Sequence, residues 1–168
     1  SRKDILMEDN TYYHVVNENK VKKILLVTDE NIFLEKAFGS IENTEVYKTN
    51  DVSNITENDD YDLYVFDNKM PEVMPRKGSI LFINPNSNEF FNVLEGGEIG
   101  QATAVKGSVS TYLEDTQFTL SEYNIIETPY YGTNILTIGD NSIGFKGEIN
   151  DRKIAALSFD LHSTDFAL

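Results

Sequence analysis

Short apolar runs separated by turn residues predict a sheet of buried strands in the first half of the chain. The segments Val21–Thr28, Tyr61–Asp67 and Gly78–Asn84 each hold a nearly continuous apolar stretch, which is typical of parallel strands covered on both faces. Glu45–Thr49 is a shorter strand candidate. Connections of crossover length separate these segments, so the pattern predicts a doubly wound, mostly parallel sheet.

Helical spacing in this half is limited to the segment after the first strand. Phe33, Ala37 and Phe38 share one helical face, an acidic stretch precedes them, and Gly39 is placed to end a short helix. The connection 68–78 contains two prolines and is therefore predicted to be a loop.

The last third of the chain changes to an antiparallel pattern. Strands are predicted at Asn134–Ile138, Ile143–Ile149 and Lys153–Phe159. The pairs Asp140-Asn141 and Asn150-Asp151 separate them, and both pairs tolerate positive φ, so two tight hairpins are expected. This third is therefore predicted to form an antiparallel hairpin extension of the sheet.

The segments on either side of these strands are less regular. Glu89–Leu94 predicts a short helix that ends at Gly96-Gly97, and Tyr123–Glu127 predicts an extended piece. Asp4–Val16 is also predicted to be extended. We expect residues 1–19 to be the tail of a preceding β-rich segment and residues 20–168 to be one α/β domain, excised from a longer protein.

Composition narrows the function classes. The 168 residues carry 14 basic and 28 acidic side chains, a net charge of −14. Such a charge argues against binding to nucleic acid or to anionic lipid headgroups. The chain contains no Cys, so a disulfide, a thiolate metal site and a Cys nucleophile are excluded. Its apolar runs are much shorter than the roughly 20 residues that a membrane span needs.

One peptide near the C-terminus combines groups that could do acid–base chemistry. His162 lies between Asp160 and Asp165 at the end of a predicted strand. A His–carboxylate pair can act as a general base, and all three side chains can bind a metal ion. The interpretation we favour is structural: Asp160 and Ser163 or Thr164 cap the start of a terminal helix, and His162 is hydrogen-bonded to a neighbouring loop.

Two acidic residues follow the ends of predicted parallel strands. Asp29 and Asp67 occupy the edge of the predicted sheet where ligands of open α/β folds bind, which makes them candidates for a metal site. The simpler interpretation is a helix N-cap at Asp29 and a turn at Asp67. We expect neither a bound metal nor a cofactor, because no phosphate-binding glycine loop or calcium-loop pattern is present.

Val21–Leu168 resembles the C-terminal region of BatA-type bacterial membrane proteins, which carry a von Willebrand factor A domain and are described as related to aerotolerance. The most specific peptides are YDLYVFD followed by GSILFINP, and the terminal SFDLHSTDF. The resemblance implies a class I glutamine amidotransferase-like fold, which is a flavodoxin-like three-layer sandwich. It also implies flanking transmembrane helices in the full-length protein, with this domain on the extracytoplasmic side of the cell membrane.

The resemblance also bears on catalysis. A class I amidotransferase places a Cys at the turn after a central strand, and the matching turn here is Ile83-Asn84-Pro85. Asn84 is not a nucleophile, and Pro85 lacks the backbone N–H that an oxyanion hole uses. We therefore expect a non-catalytic relative.

The expected function is protein interaction or scaffolding at the cell envelope, with the von Willebrand factor A domain of the same chain among the partners. The alternative is an uncharacterised hydrolase, or a domain that binds a small molecule or divalent ion through Asp160, His162 and Asp165. The sequence predicts no oligomeric state.

Overall fold

The computed structural model describes residues 20–108 and 116–165. These residues form eleven strands, one α-helix and one 3₁₀ turn. The strands are β1 Lys22–Val27, β2 Thr44–Thr49, β3 Leu63–Asp67, β4 Ser79–Ile83, β5 Asn92–Gly97, β6 Gly100–Ala104, β7 Gln117–Leu120, β8 Tyr123–Glu127, β9 Gly132–Ile138, β10 Asn141–Ile149 and β11 Arg152–Leu157. The helix α1 is Ile32–Gly39, and the 3₁₀ turn is Leu161–Ser163.

Nine strands form one mixed sheet in the order β2-β1-β3-β4-β11-β10-β9-β6-β7. The pairs from β2 to β11 are parallel, and the pairs from β11 to β7 are antiparallel. Strands β5 and β8 form a separate antiparallel ribbon. The last strand, β11, therefore joins the parallel half of the sheet to the antiparallel half.

Most predicted strands are confirmed. The three apolar runs of the first half are β1, β3 and β4, and the antiparallel strands of the last third are β9, β10 and β11. The second predicted hairpin turns at Asn150 and Asp151, which have φ of 50° and 61°. In the first hairpin the positive φ belongs to Gly139, at 58°, rather than to the pair Asp140-Asn141.

The predicted fold class is wrong. The structure is mostly β, with a nine-stranded mixed sheet and one α-helix among the described residues, instead of a flavodoxin-like or amidotransferase-like three-layer sandwich. The connections 50–62 and 68–78 cross the sheet as loops, and four antiparallel strands extend the sheet where a sandwich would add further parallel strands. The weak helical periodicity of these connections is the sequence feature that indicates loops instead of helices.

The predicted helix over Glu89–Leu94 is also wrong, because this segment leads into β5 and pairs with β8. Val93 and Ile126 are paired across the ribbon and pack on the nine-stranded sheet. Tertiary packing decides the structure of such a short apolar run. The predicted extended segment Asp4–Val16, with the rest of residues 1–19, lies outside the described part of the chain.

Two hydrophobic clusters cover opposite faces of the large sheet. The α1 face holds Leu34 and Phe38 of the helix against β1, β3, β4 and β11, and continues to β6 and β7. The opposite face, the loop face, is covered by side chains from loops 50–62 and 68–78 and from the β5–β8 ribbon. Loops and the β5–β8 ribbon thus cover the face of the sheet that helices cover in a three-layer sandwich.

Arg152 fixes one of these loops to the start of β11. Its Nε donates to the Gly78 carbonyl at 2.8 Å, and its Nη2 donates to the Pro75 carbonyl at 2.9 Å. The guanidinium also lies 5.5 Å from the centre of the Phe90 ring, at cation–π distance. Burial lowers the pKa of Arg152; the group stays charged at neutral pH because an arginine pKa starts far above 7.

Gly78 is expected to tolerate no side chain. Its φ is +87°, and a Cβ would lie 2.4 Å from the Tyr61 carbonyl oxygen. Gly78→Ala should therefore lower the free energy of unfolding by about 3 kcal/mol, as strain and a backbone clash add. Gly139→Ala is the matched control, since its φ is +58° but no atom lies within 4 Å; it should cost about 1 kcal/mol. Urea unfolding measures both variants, and equal losses in the free energy of unfolding would contradict the backbone clash at Gly78.

Candidate functional site

The parallel half of the sheet has a topological switch point between β1 and β3. The connection from β1 leads over the α1 face to β2 at one edge of the sheet, and the connection from β3 contributes Met70 and Met74 to the loop face on its way to β4 on the other side. The chain therefore leaves the carboxyl ends of β1 and β3 in opposite directions. In open α/β sheets, ligands bind in the crevice that this arrangement creates.

A buried polar cluster lies at this switch point. Asp67, at the end of β3, is only 4% exposed. Its Oδ2 accepts hydrogen bonds from the Thr28 hydroxyl at 2.7 Å and from Asn31 Nδ2 at 3.1 Å. Its Oδ1 accepts from Asn68 Nδ2 at 3.1 Å. Both oxygens of this buried carboxyl group therefore have hydrogen-bond partners, as buried polar groups require.

The cluster continues across the ends of the next strands. Asn84 Nδ2 donates to Asn68 Oδ1 at 2.7 Å. Both residues are left-handed, with φ of 51° and 55°, a conformation that Asn tolerates better than most residues. Their backbone N–H groups donate to the carbonyls of Leu157 and Ile83, respectively. One hydrogen-bonded chain therefore links the carboxyl ends of β1, β3, β4 and β11.

The two predicted metal candidates have different surroundings. The Asp29 side chain is 78% exposed, and its carboxylate lies 2.9 Å from Lys69 Nζ. Asp67 points into the polar cluster instead. Within residues 20–108 and 116–165, no group of three His, Asp or Glu side chains is arranged to hold a metal ion.

The predicted helix N-cap at Asp29 is wrong. Asn31 is the N-cap of α1, and its Oδ1 accepts from the Leu34 backbone N–H at 3.1 Å. The other side-chain atom of Asn31 binds Asp67. Asn31 therefore ties the start of the helix to the polar cluster, because its amide carries both an acceptor and a donor.

The structure brings His162 and Asp160 together. Asp160 is the N-cap of the 3₁₀ turn and accepts from the His162 backbone N–H at 2.9 Å. His162 Nδ1 lies 3.0 Å from the same carboxylate oxygen, and the imidazole is 71% exposed. Asp160 is thus a cap, as expected, but it caps a three-residue 3₁₀ turn instead of a helix, and His162 contacts Asp160 instead of a neighbouring loop.

Asp165 has a different partner. Its Oδ1 accepts from the Thr119 backbone N–H at 2.6 Å, and its own N–H donates to the Thr119 carbonyl at 3.0 Å. The carbonyl of Ser163 accepts from the Ser121 backbone N–H at 2.8 Å. Residues 163–165 therefore lie along the outer side of β7 and cover that edge of the large sheet at Thr119 and Ser121, which sequence reasoning did not predict.

The opposite edge of the sheet, β2, is open within the described part of the chain. Lys22 N–H donates to the Asn43 carbonyl and Thr28 N–H to the Thr49 carbonyl, so the odd-numbered residues of β2 face β1. The N–H and C=O groups of Thr44, Val46 and Lys48 consequently point outward. An edge of this kind is a template for pairing with another strand.

The side chains of β2 differ between the two faces. Val46 is half-buried against the α1 face, and Lys48 forms an ion pair with Glu35 of the helix. On the loop face, Tyr47 is 43% exposed and meets Tyr61 edge-on at 5.7 Å. Tyr47 Oη donates to Glu45 at 2.8 Å, and this bond raises the pKa of Tyr47.

A surface depression of about 340 Å³ lies elsewhere, between the β5–β8 ribbon and the segment that precedes it. It is lined by residues 88–92 and 127–129. None of the predicted site residues lines it.

Comparison with known proteins shows the fold alone. No protein-family model matches the chain, and no curated protein matches it. The structure is similar to that of the Cytoplasmic Protein STM1381 from Salmonella typhimurium LT2, with a TM-score of 0.56 and 12% identity over 82% of this chain and 88% of that chain. It is also similar to the Cytoplasmic Protein STM3548 from Salmonella typhimurium, with a TM-score of 0.54 and 14% identity over 83% and 87% of the two chains.

The described residues include no helix that is long and apolar enough to cross a membrane.

The Asp67 carboxylate is expected to stabilise the carboxyl edge of the sheet. In Asp67→Asn one acceptor becomes a donor and faces another donor, so the free energy of unfolding should fall by about 2 kcal/mol. Asp29→Asn removes a charge from the exposed pair with Lys69 and should cost less than about 0.5 kcal/mol. Urea unfolding at pH 7 measures both; similar losses would show that the buried cluster contributes nothing.

Proline substitutions are expected to separate the two sides of β2. Val46→Pro removes an outward N–H and leaves the β1 ladder intact, whereas Tyr47→Pro removes a ladder hydrogen bond. We expect Tyr47→Pro to lower the free energy of unfolding by at least about 1 kcal/mol more than Val46→Pro does. Thermal and urea unfolding would test the order, and the reverse order would mean that the assigned facing of β2 is wrong.

Proposed function

We propose that this chain is a non-catalytic interaction domain that binds protein partners through the outer edge of β2. The observation that carries the proposal is the asymmetry of the sheet. Residues 163–165 cover the β7 edge at Thr119 and Ser121, while β2 presents the backbone groups of Thr44, Val46 and Lys48 outward. Strand addition to such an edge supplies affinity through main-chain hydrogen bonds, and side chains on the two faces supply specificity.

The hydrogen bonds that the polar side chains make within the fold support an interaction role over catalysis. Both Asp67 oxygens accept hydrogen bonds within the cluster, and Asp165 binds β7. A hydrolase or an ion-binding site built on Asp160, His162 and Asp165 would have to work without Asp165, which leaves one exposed His–carboxylate pair. Such a pair supplies a base and the carboxylate that orients it, without the separate nucleophile that a base of this kind activates.

The resemblance to BatA-type proteins supplies the proposed context. On that basis the domain belongs to a membrane-anchored protein and lies on the extracytoplasmic side of the cell membrane. The von Willebrand factor A domain of the same protein is the partner we propose to contact the β2 edge. The net charge of −14 would keep this domain off an anionic membrane surface while it contacts protein partners beside it.

The test measures binding of the purified von Willebrand factor A domain to the immobilised 168-residue chain by biolayer interferometry. We expect saturable binding to the wild type. Val46→Pro should weaken it at least about tenfold, because the outward N–H at the centre of β2 is lost.

Ile99→Ser is the control, because Ile99 is 80% exposed and lies in the β5–β6 connection, far from β2 in the strand order. It should bind like the wild type. Absence of binding, or equal binding by wild type and Val46→Pro, would overturn the proposed function.

A further inference from the structure

We infer that the β2 edge also binds a second copy of this chain, in an antiparallel arrangement centred on Val46. This inference rests on the proposed function, because it assigns a homotypic partner to the same edge. The two large sheets would then form one continuous sheet through a two-fold axis beside Val46. Such a contact is isologous, with the same surface on both subunits.

The backbone of β2 suits this register. Thr44, Val46 and Lys48 are the outward-facing residues, as the bonds from Lys22 and Thr28 to the neighbouring positions of β2 show. With Val46 opposite Val46 of the second copy, Thr44 lies opposite Lys48. The two residues of each pair exchange two N–H···O bonds, as the hydrogen-bonded pairs of an antiparallel ladder do.

The side chains of β2 are self-complementary in the same register. Val46 meets Val46 on the α1 face, where the side chain is already half-buried. On the loop face, Glu45 of each copy lies opposite Tyr47 of the other, and Tyr47 already donates to a glutamate in the single chain. No residue of β2 faces a like charge, which would destabilise a cross-strand pair.

The total charge predicts an unusual salt dependence for this contact. Each copy carries a net charge of −14, so two copies repel each other over distances beyond the contact itself. At physiological ionic strength, salt screens the repulsion between charges that lie more than about 8 Å apart. Since hydrogen bonds and the Val46 contact hold the dimer, association should strengthen as salt is added. A contact held by opposite charges would weaken.

The experiment is sedimentation equilibrium of the 168-residue chain, for the wild type, Val46→Lys and Val46→Glu. The wild type should dimerise, and the dimer should tighten about threefold or more between about 50 and 500 mM NaCl. Each charged variant alone should lose at least about tenfold in affinity, because two like charges meet at the axis. An equimolar mixture of the two variants should associate about fivefold more tightly than either alone.

Recovery in the mixture also demonstrates that both variants are folded, and circular dichroism of each one checks this independently. A wild type that stays monomeric at every salt concentration would overturn the inference. Dimers that Val46→Lys and Val46→Glu leave unchanged would overturn it as well. If the wild type is monomeric but its binding of the von Willebrand factor A domain still depends on Val46, the homotypic inference fails alone. If Val46→Lys and Val46→Glu associate with each other as expected but binding of the von Willebrand factor A domain does not depend on Val46, only the proposed function is overturned.

Discussion

The parallel pairing of β11 with β4 is the contact on which the rest of the structure depends. Residues 154–157 lie in register with residues 80–83, more than seventy positions earlier in the chain. The pairing places the antiparallel strands β10, β9, β6 and β7 beside the parallel strands, so one sheet holds both halves. Both apolar faces run across this junction, since Ala155 and Leu157 belong to the α1 face and Ile154 and Ala156 to the loop face. Small and branched side chains here let the two halves share one core.

The local structure of most strands could be predicted from the sequence, but their global arrangement could not. Apolar runs such as Ile24–Val27 must be buried on both faces, and that alone identifies β1, β3 and β4. What covers those faces depends on segments with no regular period. The connections 50–62 and 68–78 bury single side chains, such as Ile55 and Met74, without forming helices. The assumption that parallel strands imply helical layers produced the wrong fold class.

The candidate site was predictable to a similar degree. An acidic residue at the end of a buried strand is visible in the sequence, which makes Asp67 a candidate. Its donors Thr28 and Asn31 lie more than thirty residues earlier and belong to no sequence motif. The grouping of Asp160, His162 and Asp165 failed to anticipate that Asp165 binds β7, because backbone pairing over 46 positions leaves no local pattern. The open edge at β2 was missed for the opposite reason. TEVYKT predicts a strand, but only the sheet order shows that nothing described lies beside it.

The bond between Asp165 and Thr119 has a consequence for how the chain can assemble. A sheet with two open edges can add molecules at both ends, which is the geometry of a growing cross-β fibril. Here residues 163–165 lie along β7, so molecules that paired only through β2 would form a closed pair without a second edge of this kind to extend. By covering β7, residues 163–165 would limit edge-to-edge association of this sheet to pairs, and a variant in which they leave β7 would expose a second edge for elongation.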